Sequence, residues 1–205
     1  MKYVMLFEPP QELAAQIRDY RRSIQKQIIQ VPDNVLHCTL MTLYTQTPQS
    51  KIVKLLDKIT LPSFEVDTSA LELFPEQKLV LRLENNLQLH AVHLAVIDAL
   101  YKLIDFDETP LPPTEYRQIR ERMVVDSCTG SPYYWKFYKP HISIAQVQPE
   151  PLEHLTQDEF VGKRLSVDTF SLTKKDNGIW KKVREFKLQP EMSDRIELSS
   201  QMGRM

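Results

Sequence analysis

Two stretches of this 205-residue chain repeat one another, and the repetition constrains its fold more than any other feature. Residues 35–44 and 138–147 are both apolar, β-branched runs, and each predicts a buried strand. A predicted helix follows each (48–59 and 151–160), and then a hairpin pattern. The first hairpin runs over 64–74 and 78–84 around Pro75-Glu76-Gln77; the second runs over 165–188, with Asn177-Gly178 as its turn. Both hairpins open on the same tripeptide, Val66-Asp67-Thr68 and Val167-Asp168-Thr169. Each predicted strand also holds a histidine two residues before a hydroxyl, in His37-Cys38-Thr39 and His141-Ile142-Ser143. The histidine precedes the tripeptide by 29 residues in the first copy and by 26 in the second. The pattern predicts a duplicated unit of strands and helices with a pseudo-twofold axis.

The rest of the chain fits around this repeat. Residues 1–7 read as a first strand, ended by Glu8-Pro9-Pro10. Residues 11–30 read as a surface helix on the spacing of Leu13, Ile17, Ile24 and Ile28. Residues 86–104 read as a strong helix with Leu89, Val92, Val96, Ala99 and Leu103 on one side. The proline-rich 110–113 marks a boundary between halves, 114–124 is a further helix candidate, and 127–132 reads as a loop. The polar stretch 191–205 reads as a frayed tail.

Composition removes whole classes of function. The four glycines, Gly130, Gly162, Gly178 and Gly203, are too scattered for either glycine-rich nucleotide loop. With 26 Lys+Arg against 27 Asp+Glu, the chain lacks the basic excess of proteins that coat long nucleic acid. A short substrate bound end-on remains compatible. Cys38 and Cys128 form no metal-ligand spacing and no disulfide framework, which predicts a reduced, cytoplasmic setting. The opening residues contain no long apolar run, so neither a signal peptide nor a membrane span is expected.

The repeated strands carry the chemistry. In a strand, residues i and i+2 share a face about 6–7 Å apart, so each strand shows one imidazole and one hydroxyl to the same side. Cys38 and Ile142 then face the other side, away from any nucleophilic role for the cysteine. A twofold axis would set the imidazoles against each other across a cleft as acid and base, with two hydroxyl donors between them. A third match, His154-Leu155-Thr156, falls in a predicted helix, where the two side chains diverge by about 200°. His90 and His93 are three apart on a helix, but His93 shares a stripe with Leu89, Val96 and Leu100. They read as packing residues, and neither metal nor cofactor is expected.

Residues 133–138 hold five aromatics in six positions, a candidate wall for stacking a nucleobase. Trp135, Lys136, Phe137, Tyr138 and Lys139 are therefore substrate-binding candidates, joined by Tyr44 at the end of the first strand. Arg117, Arg120 and Arg122 read as a solvated helix face, and Cys128 as a bystander in its loop.

On these residues, HCTL at 37–40 and HISI at 141–144 with Pro140 before the second, the chain resembles the two-histidine (2H) phosphoesterase superfamily. Within it, the chain is similar to the 2′-5′ RNA ligase and RNA 2′,3′-cyclic phosphodiesterase proteins. The resemblance covers roughly residues 1–188. It implies an α+β, two-lobed fold in one domain over 1–190, with antiparallel sheets and a cleft between the lobes. Those lobes would fall roughly at 1–109 and 110–190, the N-terminal strand crossing between them. It further implies metal-independent hydrolysis of a cyclic phosphodiester, with His37 and His141 as general acid and base and Thr39 and Ser143 gripping phosphoryl oxygens. The expected partner is a nucleotide or short RNA with a cyclic phosphate end, met by a monomer with no membrane or protein partner. Two departures stand out: Ser143-Ile144 where many members have Thr-Leu, and Met41-Thr42-Leu43-Tyr44 where many carry a basic residue and a Phe-Leu-Gly-like turn. Ligation through a 2′-5′ linkage, hydrolysis of 2′-5′-linked oligonucleotides and a non-catalytic nucleotide- or RNA-binding module stay open as alternatives.

Overall fold

A computed structural model describes residues 1–31, 35–109, 137–149, 158–176 and 179–190. Among them are nine strands and three α-helices: β1 (Lys2–Phe7), α1 (Gln11–Ser23), β2 (Ile28–Gln30), β3 (Cys38–Tyr44), α2 (Gln49–Leu56), β4 (Phe64–Phe74), β5 (Lys78–Leu83), α3 (Leu87–Leu100), β6 (His141–Val147), β7 (Arg164–Val167), β8 (Thr169–Asp176) and β9 (Ile179–Lys187). All the strands join one curled sheet in the order β7-β4-β5-β6-β3-β1-β8-β9, with β2 paired to β6, so the architecture is α+β with antiparallel strand pairs.

The strand registers show the pseudo-twofold axis directly. Cys38 pairs with Ile142, its own counterpart in the repeated motif. In β4 and β7, Glu65 pairs with its counterpart Ser166, and around it Phe64 pairs with Val167 while Val66 pairs with Leu165. Such reciprocal pairing is what a twofold relation produces. The axis runs between β3 and β6; His37 immediately precedes β3 and His141 opens β6.

The sheet order also interleaves the halves of the sequence. The first-half hairpin β4–β5 lies against β6 from the second half, and the second-half hairpin β8–β9 lies against β1. The second hairpin differs from the pattern read in the sequence. Residues 164–167 leave it to pair with β4, and the chain turns at Asp168 before β8 begins.

The three described helices share one buried face of the sheet. Leu13, Ile17, Ile52, Leu56, Leu89 and Val96 share a buried cluster with Cys38, Leu40, Ile142 and Ile144. Asn86 caps α3 by accepting from the Leu89 amide at 2.8 Å. α1 ends at Ser23 rather than running to residue 30. A 3-10 turn follows, and Ile28–Gln30 pairs with β6 instead, so β-sheet hydrogen bonding overrides the helical spacing of Ile24 and Ile28. α3 likewise stops at Leu100 in a short 3-10 turn over Tyr101–Leu103. The boundary and helix read at 110–124, the loop at 127–132, residues 151–157 of the helix read at 151–160, Asn177-Gly178 and the tail from 191 lie outside the described residues.

Candidate active site

Strand alternation decides which side chains leave the core. Cys38 and Ile142 are both fully buried on the helix-covered face, while His37, Thr39, His141 and Ser143 are half-buried on the opposite one. Because Cys38 and Ile142 are partners, the antiparallel register sets His37 beside Ser143 and Thr39 beside His141. Each imidazole thus meets the hydroxyl of the other repeat. Diagonal neighbours in such a pair have Cβ atoms about 7–8 Å apart, enough for a phosphoryl group between the two rings.

The histidines are oriented in the same way. His37 Nδ1 donates to the Val35 carbonyl at 2.9 Å, and His141 Nδ1 donates to the Lys139 carbonyl at 2.8 Å. A carbonyl only accepts, so both rings carry their proton on Nδ1 and keep Nε2 for the site. Neither the Thr39 nor the Ser143 hydroxyl makes a hydrogen bond among the described residues. Both are available as donors to a bound oxygen.

Electrostatics act on the second half of the site. Burial pushes His141 below the ordinary histidine value, opposed by its bond to the Lys139 carbonyl; the charges of Arg82 and His37 push it further down and Glu72 pulls it back. Arg82 pairs with His141 in the β5–β6 register and forms an ion pair with Glu72 at 2.8 Å. Neutral imidazole is therefore favoured at this position near pH 7.

An aromatic ring stands beside each imidazole. Phe74 lies 4.8 Å from His141, and Trp180 lies 6.3 Å from His37 edge-on. Each ring sits at the end of a hairpin opposite a lysine, in the pairs Phe74–Lys78 and Lys175–Trp180. The Lys2 ammonium lies over both Tyr44 and Trp180, and the Arg82 and Lys139 cations lie over Phe74. Sequence reading missed Phe74, Trp180, Arg82 and Lys2. They reach the site through long-range strand pairing; for Phe74, Arg82 and Trp180 the local signal was their parity within each hairpin.

The remaining candidates divide. Tyr44 and Lys139 fall on the site face near Lys2 and Phe74 respectively. Tyr138 is turned into the core at 8% exposure, its ring stacked 3.8 Å from that of His93, and Phe137 packs against the same core. Trp135 and Lys136 lie outside the described residues, as do His154, Arg117, Arg120, Arg122 and Cys128. Cys38 faces the Tyr138 hydroxyl at 3.6 Å, and burial pushes its thiol up to about 12. His93 is fully buried. Among the described residues no group of three or more His, Cys, Asp or Glu side chains is placed to hold a metal ion, and no helix is long and apolar enough to cross a membrane.

No protein-family model and no curated protein sequence matches the chain. Solved structures do. TT0787 of Thermus thermophilus superposes with a TM-score of 0.66 at 17% identity, covering 93% of this chain and 100% of its own. A structure described as a phosphoesterase gives 0.64 at 15% identity, covering 92% and 98%. E. coli LigT in its apo form gives 0.61 at 14% identity, covering 92% and 97%. This chain has the fold of the LigT-like phosphoesterases, the one that its two His-x-[Thr/Ser] strands implied.

Proposed function

We propose that the protein is a two-histidine phosphoesterase that hydrolyses a cyclic phosphodiester, a 2′,3′-cyclic phosphate on an RNA end or nucleotide, without a metal ion. The observation that carries this reading is the arrangement around the axis. Two imidazoles are each locked through Nδ1 to the carbonyl two residues earlier, with Nε2 as the remaining ring nitrogen and a hydroxyl from the other strand beside each. A pure binding module has no need of a matched acid and base.

In the proposed reaction His141, held neutral, takes a proton from water as the water oxygen bonds to phosphorus. The bond from phosphorus to one ribose oxygen breaks, and protonated His37 donates its Nε2 proton to that oxygen. Thr39 and Ser143 hydroxyls donate to the non-bridging oxygens as charge builds on them. Each proton transfer contributes typically about 10²–10⁴-fold. Lys139 and Arg82 supply positive charge on the His141 side; Tyr44 and Lys2 face substrate on the His37 side. E. coli LigT has been crystallised with phosphate and with 3′-AMP, which supports a phosphate- and nucleotide-accepting site on this fold. Water at about 55 M favours hydrolysis over joining of two RNA ends unless the second end is held tightly.

A second reading, cleavage of a 2′-5′ linkage between two nucleosides, is favoured by one observation. Phe74 and Trp180 provide a ring beside each histidine, so a nucleoside could rest on either side of the phosphate.

The test is incubation with 2′,3′-cyclic nucleoside monophosphates, a short RNA with a cyclic end and a 2′-5′-linked dinucleotide, all in excess EDTA. The wild type is run beside His37→Ala and His141→Ala. Product from the wild type alone is expected, with an acidic limb of kcat/KM lying below the usual histidine range because His141 stays neutral to lower pH. Absence of wild-type product, or product that survives both substitutions, would overturn the reading.

A further inference from the structure

Each histidine strand carries one residue too many for its neighbour. On β3 the pairing with β1 passes from Met41–Met5 to Thr39–Leu6, leaving Leu40 extra. On β6 the pairing with β5 passes from Ala145–Leu79 to Ser143–Val80, leaving Ile144 extra. The two bulges fall at the same place in the repeat, directly after the hydroxyl residue. A bulge interrupts the ladder, re-aims the side chains beside it and leaves backbone groups in need of other partners. Leu40 is 1% exposed and Ile144 is 0% exposed, so those partners come from within the protein.

They come from side chains outside the sheet, and the four carbonyls involved are again equivalent. On β3, His93 Nδ1 donates to the Leu40 carbonyl at 2.8 Å and the Tyr138 hydroxyl donates to the Thr39 carbonyl at 2.9 Å. On β6 a single residue from the last turn of α1 does both jobs. Arg21 Nε donates to the Ile144 carbonyl at 2.7 Å, and Arg21 Nη2 donates to the Ser143 carbonyl at 3.3 Å.

We propose that Arg21 is a positioning residue for the second half of the site: its two-pronged clamp on the β6 bulge fixes where the Ser143 hydroxyl and the His141 imidazole point. The stacked His93–Tyr138 pair does the same for Thr39 and His37. A guanidinium suits the task because its donors form a rigid planar fork that spans two successive carbonyls. A lysine ammonium is a point charge on a flexible stem and holds one prong at most. Around His141 the charged and titratable groups are Arg82 of β5, Glu72 of β4, His37 across the axis and its neighbour Lys139, and a loosened β6 alters its setting among all of them.

The kinetic half of the test rests on the proposed phosphodiesterase activity; the spectroscopic half does not. Arg21→Met keeps the apolar stem and removes both donors, Arg21→Lys keeps the charge and the stem, and Tyr138→Phe serves as the control on the other strand. With 2′,3′-cyclic AMP in EDTA, Arg21→Met is expected to lower kcat about tenfold or more with a smaller change in KM, since a displacement near 1 Å costs that much or more. Arg21→Lys should recover part of the loss. In substrate-free protein, NMR titration should show the His141 ring moving toward the ordinary histidine value in Arg21→Met while the His37 ring stays put. Tyr138→Phe should leave the His141 titration where it was. A wild-type kcat and His141 titration in Arg21→Met, full equivalence of lysine and arginine, or equal movement of both histidines with a general loss of stability would each overturn the clamp. A wild type without turnover removes the phosphodiesterase reading, and the His141 titration still decides the clamp.

Discussion

On β3 the bulge beside the proposed catalytic residues is held by an imidazole and a phenol, whereas on β6 it is held by one guanidinium. The backbone result is the same, with four equivalent carbonyls satisfied and two histidines turned alike. The chemistry is not. Arg21 keeps its charge over the whole pH range that a protein survives, and its clamp is indifferent to acid. His93 is fully buried, and that burial pushes it down to about 4, with the Leu40 carbonyl opposing and His90 reinforcing the shift. The duplicated fold repeats the geometry of the proposed site and reaches it with different donors in each half.

The sharpest break between the halves is expected from the proposed acid and base themselves. His37→Ala and His141→Ala should each lower turnover by about 10²-fold or more, with thermal unfolding close to wild type. Loss in only one of them would show that the pair does not divide the work. The next largest effect separates the clamps. His93 has a depressed value when folded, so its proton is disfavoured in the native state: stability is highest above the unfolded value near 6.5 and falls as pH drops toward about 4. The cost reaches about 2 kcal/mol by pH 5 and roughly 3 kcal/mol below pH 4. Urea midpoints across pH 4.5–7 should show the slope, and His93→Gln, which keeps an amide donor for Leu40, should flatten it. An unchanged slope in that variant would assign the acid sensitivity elsewhere.

Smaller effects test how far the twofold relation extends into binding. Thr39→Val and Ser143→Ala should each cost about one to two orders of magnitude in kcat, because each removes one donor to a non-bridging oxygen. Near-equal losses would fit the cross-paired arrangement, and a loss confined to one hydroxyl would show that the phosphoryl group sits off the axis. Last come the flanking rings. Removing a base-stacking ring costs about 1–3 kcal/mol per base, so Phe74→Ala or Trp180→Ala should raise KM several-fold or more for the substrate that uses it. A mononucleotide substrate should respond to one ring only; equal responses to both would favour a substrate with a nucleoside on each side.

Much of the candidate site was legible because its signal is local and repeated. His37, Thr39, His141 and Ser143 lie in or directly beside strands where a two-residue period fixes a common face, and duplication lifted them above the isolated match at His154. Phe74, Trp180, Arg82 and Arg21 carry no such signal. Each acts on a residue far away in sequence, through a register set only when β4–β5 docks on β6, β8–β9 docks on β1, and α1 packs behind the sheet. Tyr138 shows the reverse failure: an aromatic in a run of aromatics read as a binding wall, but its hydroxyl is spent on the Thr39 carbonyl and its ring on His93. Composition says that such a ring is amphipathic, not which face of a sheet it takes.

The sequence by itself determined the duplication, the strand character of both motifs and the identity of the proposed acid, base and hydroxyls, because side-chain alternation and a repeated pattern are properties of neighbouring residues. Only the tertiary structure decided that the hairpins cross over to the opposite halves, that Cys38 meets Ile142 on the axis, and that the bulges at Leu40 and Ile144 are clamped from behind. Those choices depend on which distant backbone groups must satisfy one another once water is excluded, and that accounting closes only when the whole sheet and its helices are in place.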